Sequence, residues 1–187
     1  MNHLKIFIIP VLMLADYFLT VVGARMSEKK YRQHFKISSY ELNPIFQRQI
    51  AQKRWFSAKH SAGVLVVTAF CWLWANNWNE LAENNEVLFG FFAGLFTTII
   101  GAHLANIFTF FYLIKNPTEV SGEIVLHHCY TLSTTSFRYL IVLLPLILIG
   151  IFSGSPFVYG AISSVGTLIF LHAIWYVKAK KSKSKTI

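Results

Sequence analysis

Asp16 and Thr20 stand four residues apart in the first apolar run of the chain, His103 and Asn106 three apart in the third, and His172 and Tyr176 four apart in the fifth. On a helix each spacing puts both side chains on one face. A carboxylate that meets imidazoles inside a membrane can trade a proton with them or share a divalent cation, because carboxylate oxygen and imidazole nitrogen are the usual ligands of zinc and its neighbours. Glu119, Glu123 and His127 form a second set, spaced i, i+4 and i+8 after Asn116-Pro117. That dipeptide reads as an N-cap followed by proline at the first helical position, with Glu119 as capping-box acid, so the three are expected on one helical face. The expected cofactor is a divalent metal ion, zinc or similar, held by Asp16, His103, His172, Glu123 and His127.

These side chains belong to a chain of 187 residues that is 55% hydrophobic and 13% charged, with a mean hydropathy of +0.49. A soluble domain is about 25% charged. Here the charges are also segregated: no Lys or Arg occurs from Ser61 to Ile114, and no Asp, Glu, Lys or Arg from Tyr139 to Val177. Stretches of that length and composition are membrane spans. The fold class expected is all-α, a polytopic transmembrane bundle of five helices over residues 4–24, 61–78, 87–114, 137–153 and 157–177. It forms one domain, 1–177, with a basic tail at 178–187. The first run resembles a secretory signal peptide in having Lys5 before it and Gly23-Ala24 at its end, but Asp16 in its middle argues for a retained helix.

The connections alternate in charge. Residues 25–59 hold nine Lys or Arg against Glu28 and Glu41, the next connection holds Glu80, Glu83 and Glu86 with no base, and the tail from Lys178 is basic again. By the positive-inside rule the amino terminus is expected outside and the carboxyl terminus in the cytoplasm, in the cytoplasmic membrane. The net charge of +9 then reports orientation and contact with anionic lipids at the cytoplasmic face; nucleic acid is excluded as a partner, since no basic and aromatic binding module accompanies the charge. Cys71 and Cys129 are too few for a disulfide framework or a four-thiolate site.

Counting depth along independent helices, Asp16 lies roughly 18 Å from the outer end of its run, and His103 and His172 roughly 22–24 Å from theirs. The polar groups converge on the cytoplasmic third of the bilayer. His103 with Asn106, or His172 with Tyr176, can equally serve as interhelical hydrogen-bonding glue. Asp16 is different, because a carboxylate in hydrocarbon needs an imidazole, a bound cation or its own proton to be neutral.

Other chemistries fail on pattern or depth. Ser153 and His172 sit at opposite ends of their helices and cannot form a nucleophile and base pair. No zincin, di-iron helix, phosphate-cradling or dinucleotide motif is present. Gly90, Gly94, Gly160 and Gly166 are expected at close helix contacts. A helix is also expected from Asn43-Pro44 into the second span, carrying Lys59 and His60 to the interface.

The order Asp16-x3-Thr20-x2-Gly23, then Glu41-Leu42-Asn43-Pro44, then Phe56-x2-Lys59 resembles a family of small prokaryotic multi-pass membrane proteins classed as a domain of unknown function. The resemblance covers about residues 10–60 and carries no activity. It implies that Asp16, Thr20, Glu41, Asn43 and Lys59 form one unit at the cytoplasmic face, with Asp16 and Lys59 as a pair. The longer basic first connection and the Glu/His segment depart from that pattern.

Three functions remain open from sequence. The first is cation or proton binding and transport at Asp16, His103 and His172, with Asn106 beside them. The second is a metal-dependent membrane enzyme acting on a lipid-borne or small substrate at the cytoplasmic interface. The third is a subunit or scaffold, a homo-oligomer or a membrane-complex partner.

Overall fold

The computed structural model describes residues 3–29, 35–37, 40–77, 82–118 and 121–183. The elements are α1 (His3–Ser27), β1 (Phe35–Ile37), α2 (Gln47–Ala51), α3 (Ala58–Asn77), α4 (Ala82–Lys115), β2 (Ile124–Leu126), α5 (His128–Ser153) and α6 (Pro156–Lys183). Five of these helices, α1, α3, α4, α5 and α6, are long and apolar enough to cross a membrane. Their outward faces carry large apolar side chains, with Phe152 87% exposed and Phe108 70%, as suits helices whose solvent is lipid. The chain is a multi-pass membrane protein by this architecture.

α1 packs on α3 and α4, and α4 packs on α6, which closes a hairpin with α5. Ile6, Ile9 and Met13 of α1 meet Val64, Cys71 and Ala75 of α3 and Phe96 of α4 in one buried cluster. The α4–α6 contact is made by small residues. A Cβ on Gly90 would run into the backbone carbonyl of Phe157, one on Gly160 into the carbonyl of Val87, and one on Gly94 into Ala161 and Ser164. Helix backbones that approach this closely gain dispersion contacts, which replace the hydrophobic drive that lipid removes. Gly166 differs from expectation, since nothing lies within 4 Å of its Cβ position.

The α5–α6 turn is short because Gly154, at φ 60, ends α5 in the left-handed conformation with its N–H on the Gly150 carbonyl at 3.0 Å, and Pro156 opens α6. α5 begins earlier than hydropathy predicts, at His128. In its polar first turns Thr131, Thr134 and Ser136 donate their hydroxyls to carbonyls four residues back, which satisfies them within the helix. α6 continues through Lys183, since alanine and lysine are good helix formers.

Two connections differ from the expected helices. Asn43 does not cap a helix into the second span. Its Oδ1 accepts from Ile45 N at 3.0 Å in an Asx turn, and only the five residues of α2 follow. Lys53, at φ 52, then reverses the chain, and α3 starts afresh with Ser57 as N-cap, its Oγ accepting from His60 N at 3.2 Å. The segment with Glu123 and His127 is no helix either. Gly122 adopts φ 82, and β-branched Ile124 and Val125 continue as β2, which pairs in parallel with β1 in the register Phe35 with Ile124 and Ile37 with Leu126. Glu119 lies outside the described residues. The β1–β2 pairing places the α1–α3 and α4–α5 connections on the same side of the bundle.

Candidate functional site

Asp16, Thr20 and Gly23 follow one another at i, i+4 and i+7, which puts them on one face of α1. That face meets α4 at His103. His103 Nε2 lies 3.3 Å from Asp16 Oδ1, and both side chains are less than a fifth exposed. The same nitrogen is 2.9 Å from Thr20 Oγ1, while Thr20 Oγ1 is 2.8 Å from the Asp16 carbonyl oxygen. A carbonyl only accepts, so the one Thr20 hydroxyl proton goes there and the His103 contact must be an Nε2–H donating to Thr20. Thr20 thus fixes a proton on the nitrogen that faces Asp16. Two groups are left over: Asp16 Oδ1 and His103 Nδ1 are both buried without a hydrogen bond. Unsatisfied polar atoms in a helix interior are costly.

Tyr40 and Glu41 close the site from the connection after α1. The Tyr40 ring stacks near His103 at 6.1 Å between centroids and tilts against Phe110 at 6.1 Å, while its hydroxyl rests on Gly23, where any Cβ would collide with it. Glycine at position 23 permits this close approach, and a side chain there would displace the Tyr40 hydroxyl. Asn106, one turn beyond His103, faces the Tyr40 hydroxyl without closing a hydrogen bond. Burial pushes the Tyr40 phenol above its ordinary value, and the Asn106 side chain pulls the other way.

Glu41 follows, its Oε1 accepting from the Asn43 amide at 2.7 Å. Burial pushes its carboxyl up from 4.5 to about 7; the Asn43 amide and His103 favour the ionised form, and Asp16 opposes it. A carboxyl poised near neutrality beside a carboxylate and an imidazole can pass a proton at ordinary pH.

The connection is held in place by α1. Tyr17 donates to the Arg54 carbonyl at 2.8 Å and Arg25 to the Lys53 carbonyl at 2.8 Å, and Ile50 of α2 is buried against Tyr17, Val21 and Ala24. His60 of α3 stacks on Tyr17 at 4.6 Å, lies 3.1 Å by its Nε2 from the Met13 carbonyl, and is within electrostatic reach of Asp16. On the far side Tyr139 of α5 is within reach of both Asp16 and Glu41, and stacks at 5.2 Å on His172 of α6.

The structure therefore brings Asp16, Thr20, Glu41, His103 and Asn106 together and leaves other expected residues elsewhere. Lys59 is exposed in the first turn of α3; the side chain that Asp16 faces is His103, at 3.3 Å. Asn43 contributes its amide, to Glu41. His172 is buried between Tyr139 and Trp175, with Nδ1 unbonded. Glu123 pairs with Lys36 at 2.8 Å on the surface, and His127 stands at the other end of β2, about 13 Å along an extended chain. Among the described residues no three His, Cys, Asp or Glu side chains gather to hold a metal ion. Tyr40, His60 and Tyr139 are the members that spacing missed. Only the adjacency of Tyr40 to the Glu41-Leu42-Asn43-Pro44 segment pointed towards it.

Comparison with family models, with curated proteins and with solved structures returns no match.

Proposed function

We propose that this protein binds and releases a proton or a small cation at the Asp16–His103 pair, with Glu41 as the group that exchanges protons with the aqueous side. On this reading it is a protein of the cytoplasmic membrane, amino terminus outside, with the basic connections and the centre towards the cytoplasm. The observation that carries the reading is the 3.3 Å approach of His103 Nε2 to an Asp16 oxygen that has no hydrogen bond. A cation or a proton at that oxygen satisfies it, while His103 Nδ1, on the opposite edge of the ring, is free to accept from a separate donor.

The α4–α6 contact at Gly90 and Gly160, backbone against backbone, favours a site open to one side over a continuous pore. It supports binding, exchange or gated transport from the side of the β1–β2 connections. A catalytic metal is the less supported variant, since Glu123 and His127 stand apart from Asp16 and His103.

The test is cation titration of the purified protein in lipid nanodiscs with proton release followed by a pH dye. Wild type should release about one proton per cation bound, because the carboxyl must ionise to coordinate. Asp16→Asn should release none. Equal release from both proteins, or no binding of any monovalent or divalent cation and no pH-dependent change at His103, removes the reading.

A further inference from the structure

A second feature lies at the carboxyl end of α1. Val22, Arg25, Met26 and Lys29 on one side, and Lys53 and Trp55 of the connection on the other, line an open groove of about 400 Å³. Its walls are fixed. Lys53, in the left-handed conformation, turns its carbonyl to the Arg25 guanidinium at 2.8 Å, and that guanidinium lies 4.3 Å from the Trp55 ring centroid. Lys53 Nζ pairs with Glu28. Lys29 is exposed at the rim. Three cations against one carboxylate leave the groove positive.

Its position is as informative as its charge. Trp55 stacks at 5.3 Å on Phe18, which is 55% exposed on the outward face of α1 inside the apolar span Ile6–Ser27. The groove therefore opens where the apolar band of the bundle ends and the cations begin. Val22 and Met26 give it an apolar floor. A soluble anion would use the cations and leave that floor wet; a phospholipid uses both, with phosphate on the cations and the glycerol and first acyl carbons on the apolar side chains.

We propose that this groove seats one anionic phospholipid, its phosphate held by Arg25 and Lys29 and its glycerol region packed on Val22, Met26 and Trp55. The site does not depend on the Asp16 centre. Because Arg25 and Lys53 also hold the connection that carries Tyr40 and Glu41, the bound lipid braces that connection.

The full-length protein in neutral detergent is titrated with phosphatidylglycerol, with phosphatidylcholine and with inorganic phosphate, and retained lipid is counted by native mass spectrometry alongside the thermal midpoint. One phosphatidylglycerol per chain should be retained in preference to phosphatidylcholine. Lys29→Gln, at an exposed position that the fold does not need, should weaken retention about five-fold, and adding Arg25→Gln about thirty-fold, from about 1 kcal/mol per cation near an anionic lipid. Removing the same charge at the far end of α6, as Lys178→Gln with Lys180→Gln, should leave the preferential retention unchanged. The proposal is overturned if the α6 pair loses as much as the groove pair, or if Lys29→Gln has no effect. Protection by inorganic phosphate equal to that by the lipid would assign the groove to a soluble anion instead.

Discussion

His103 of α4 reaches Asp16 of α1 with the nitrogen that Thr20 already holds, so one imidazole edge contacts a hydroxyl at 2.9 Å and a carboxylate at 3.3 Å. The consequence is directional. The proton on Nε2 is shared towards α1, and Nδ1 is left facing away without a partner. Any ligand that changes the charge on Asp16 must be felt at His103, and the two helices are coupled through it.

Asp16 and His103 should therefore be energetically coupled. His103→Ala is expected to destabilise the fold by about 2–3 kcal/mol, somewhat below the cost of breaking a fully buried pair, because both side chains keep some exposure. In an Asp16→Asn background the same change should cost about 1–2 kcal/mol less. Unfolding in bicelles across the four proteins of the cycle measures this; additive losses would show that the 3.3 Å approach carries no energy.

Glu41 makes stability depend on pH. Its carboxyl is raised from 4.5 to about 7 by burial, with His103 and Asp16 acting on it in opposite senses, so between those values the folded chain keeps a proton that the unfolded chain has released. Its contribution is fully present below about 4.5, declines as pH rises, and is lost as pH passes through about 7. The difference is at most about 3 kcal/mol, reduced by the partial solvent contact Glu41 retains. Glu41→Gln should flatten the profile over that window and be the more stable protein above it. Thermal midpoints of both proteins at a series of pH values decide the matter.

The glycines of the α4–α6 contact should separate sharply from those outside it. Gly160→Val brings a branched side chain against the Val87 carbonyl and the Phe91 amide, backbone atoms that have no rotamer to escape into, at a cost of about 3 kcal/mol or more. Gly166→Ala and Gly101→Ala, with nothing near the new methyl, should be neutral or stabilising by up to about 1 kcal/mol through helix propensity. Expression and melting of the three variants provide the comparison.

Glu123 and His127 should be dispensable for cation binding. The Lys36–Glu123 pair is about half exposed on both sides, so Glu123→Ala is expected to cost less than about 1 kcal/mol, and His127→Ala should leave cation affinity unchanged. Loss of a bound cation in either variant would return both residues to the site.

Much of this architecture was legible in the sequence because its causes are local. The five spans follow from runs of apolar residues long enough to cross a bilayer, and the α5–α6 hairpin from a Gly154-Ser155-Pro156 stop and start. Asp16, Thr20 and Gly23 could be placed on one face by helical spacing alone, and His103 singled out as a polar group at comparable depth. The short elements were misread because their signals compete. Asn43-Pro44 opens a turn as readily as a helix, and Gly122 with two β-branched residues overrides the i+4 spacing of Glu123 and His127.

The sequence by itself determined that this chain crosses a membrane and that Asp16 is the charge orientation does not explain, since hydropathy and charge act residue by residue. The tertiary structure alone decided which partner Asp16 meets. Depth places His103 and His172 alike, and only the packing of α1 on α4, with α6 beyond, puts His103 beside the carboxylate and His172 between Tyr139 and Trp175. The same holds for Tyr40, whose place on Gly23 arises from a connection folding back over α1. Contacts between residues far apart in the chain depend on how helices rotate about their axes, and that rotation is set by the packing of whole faces.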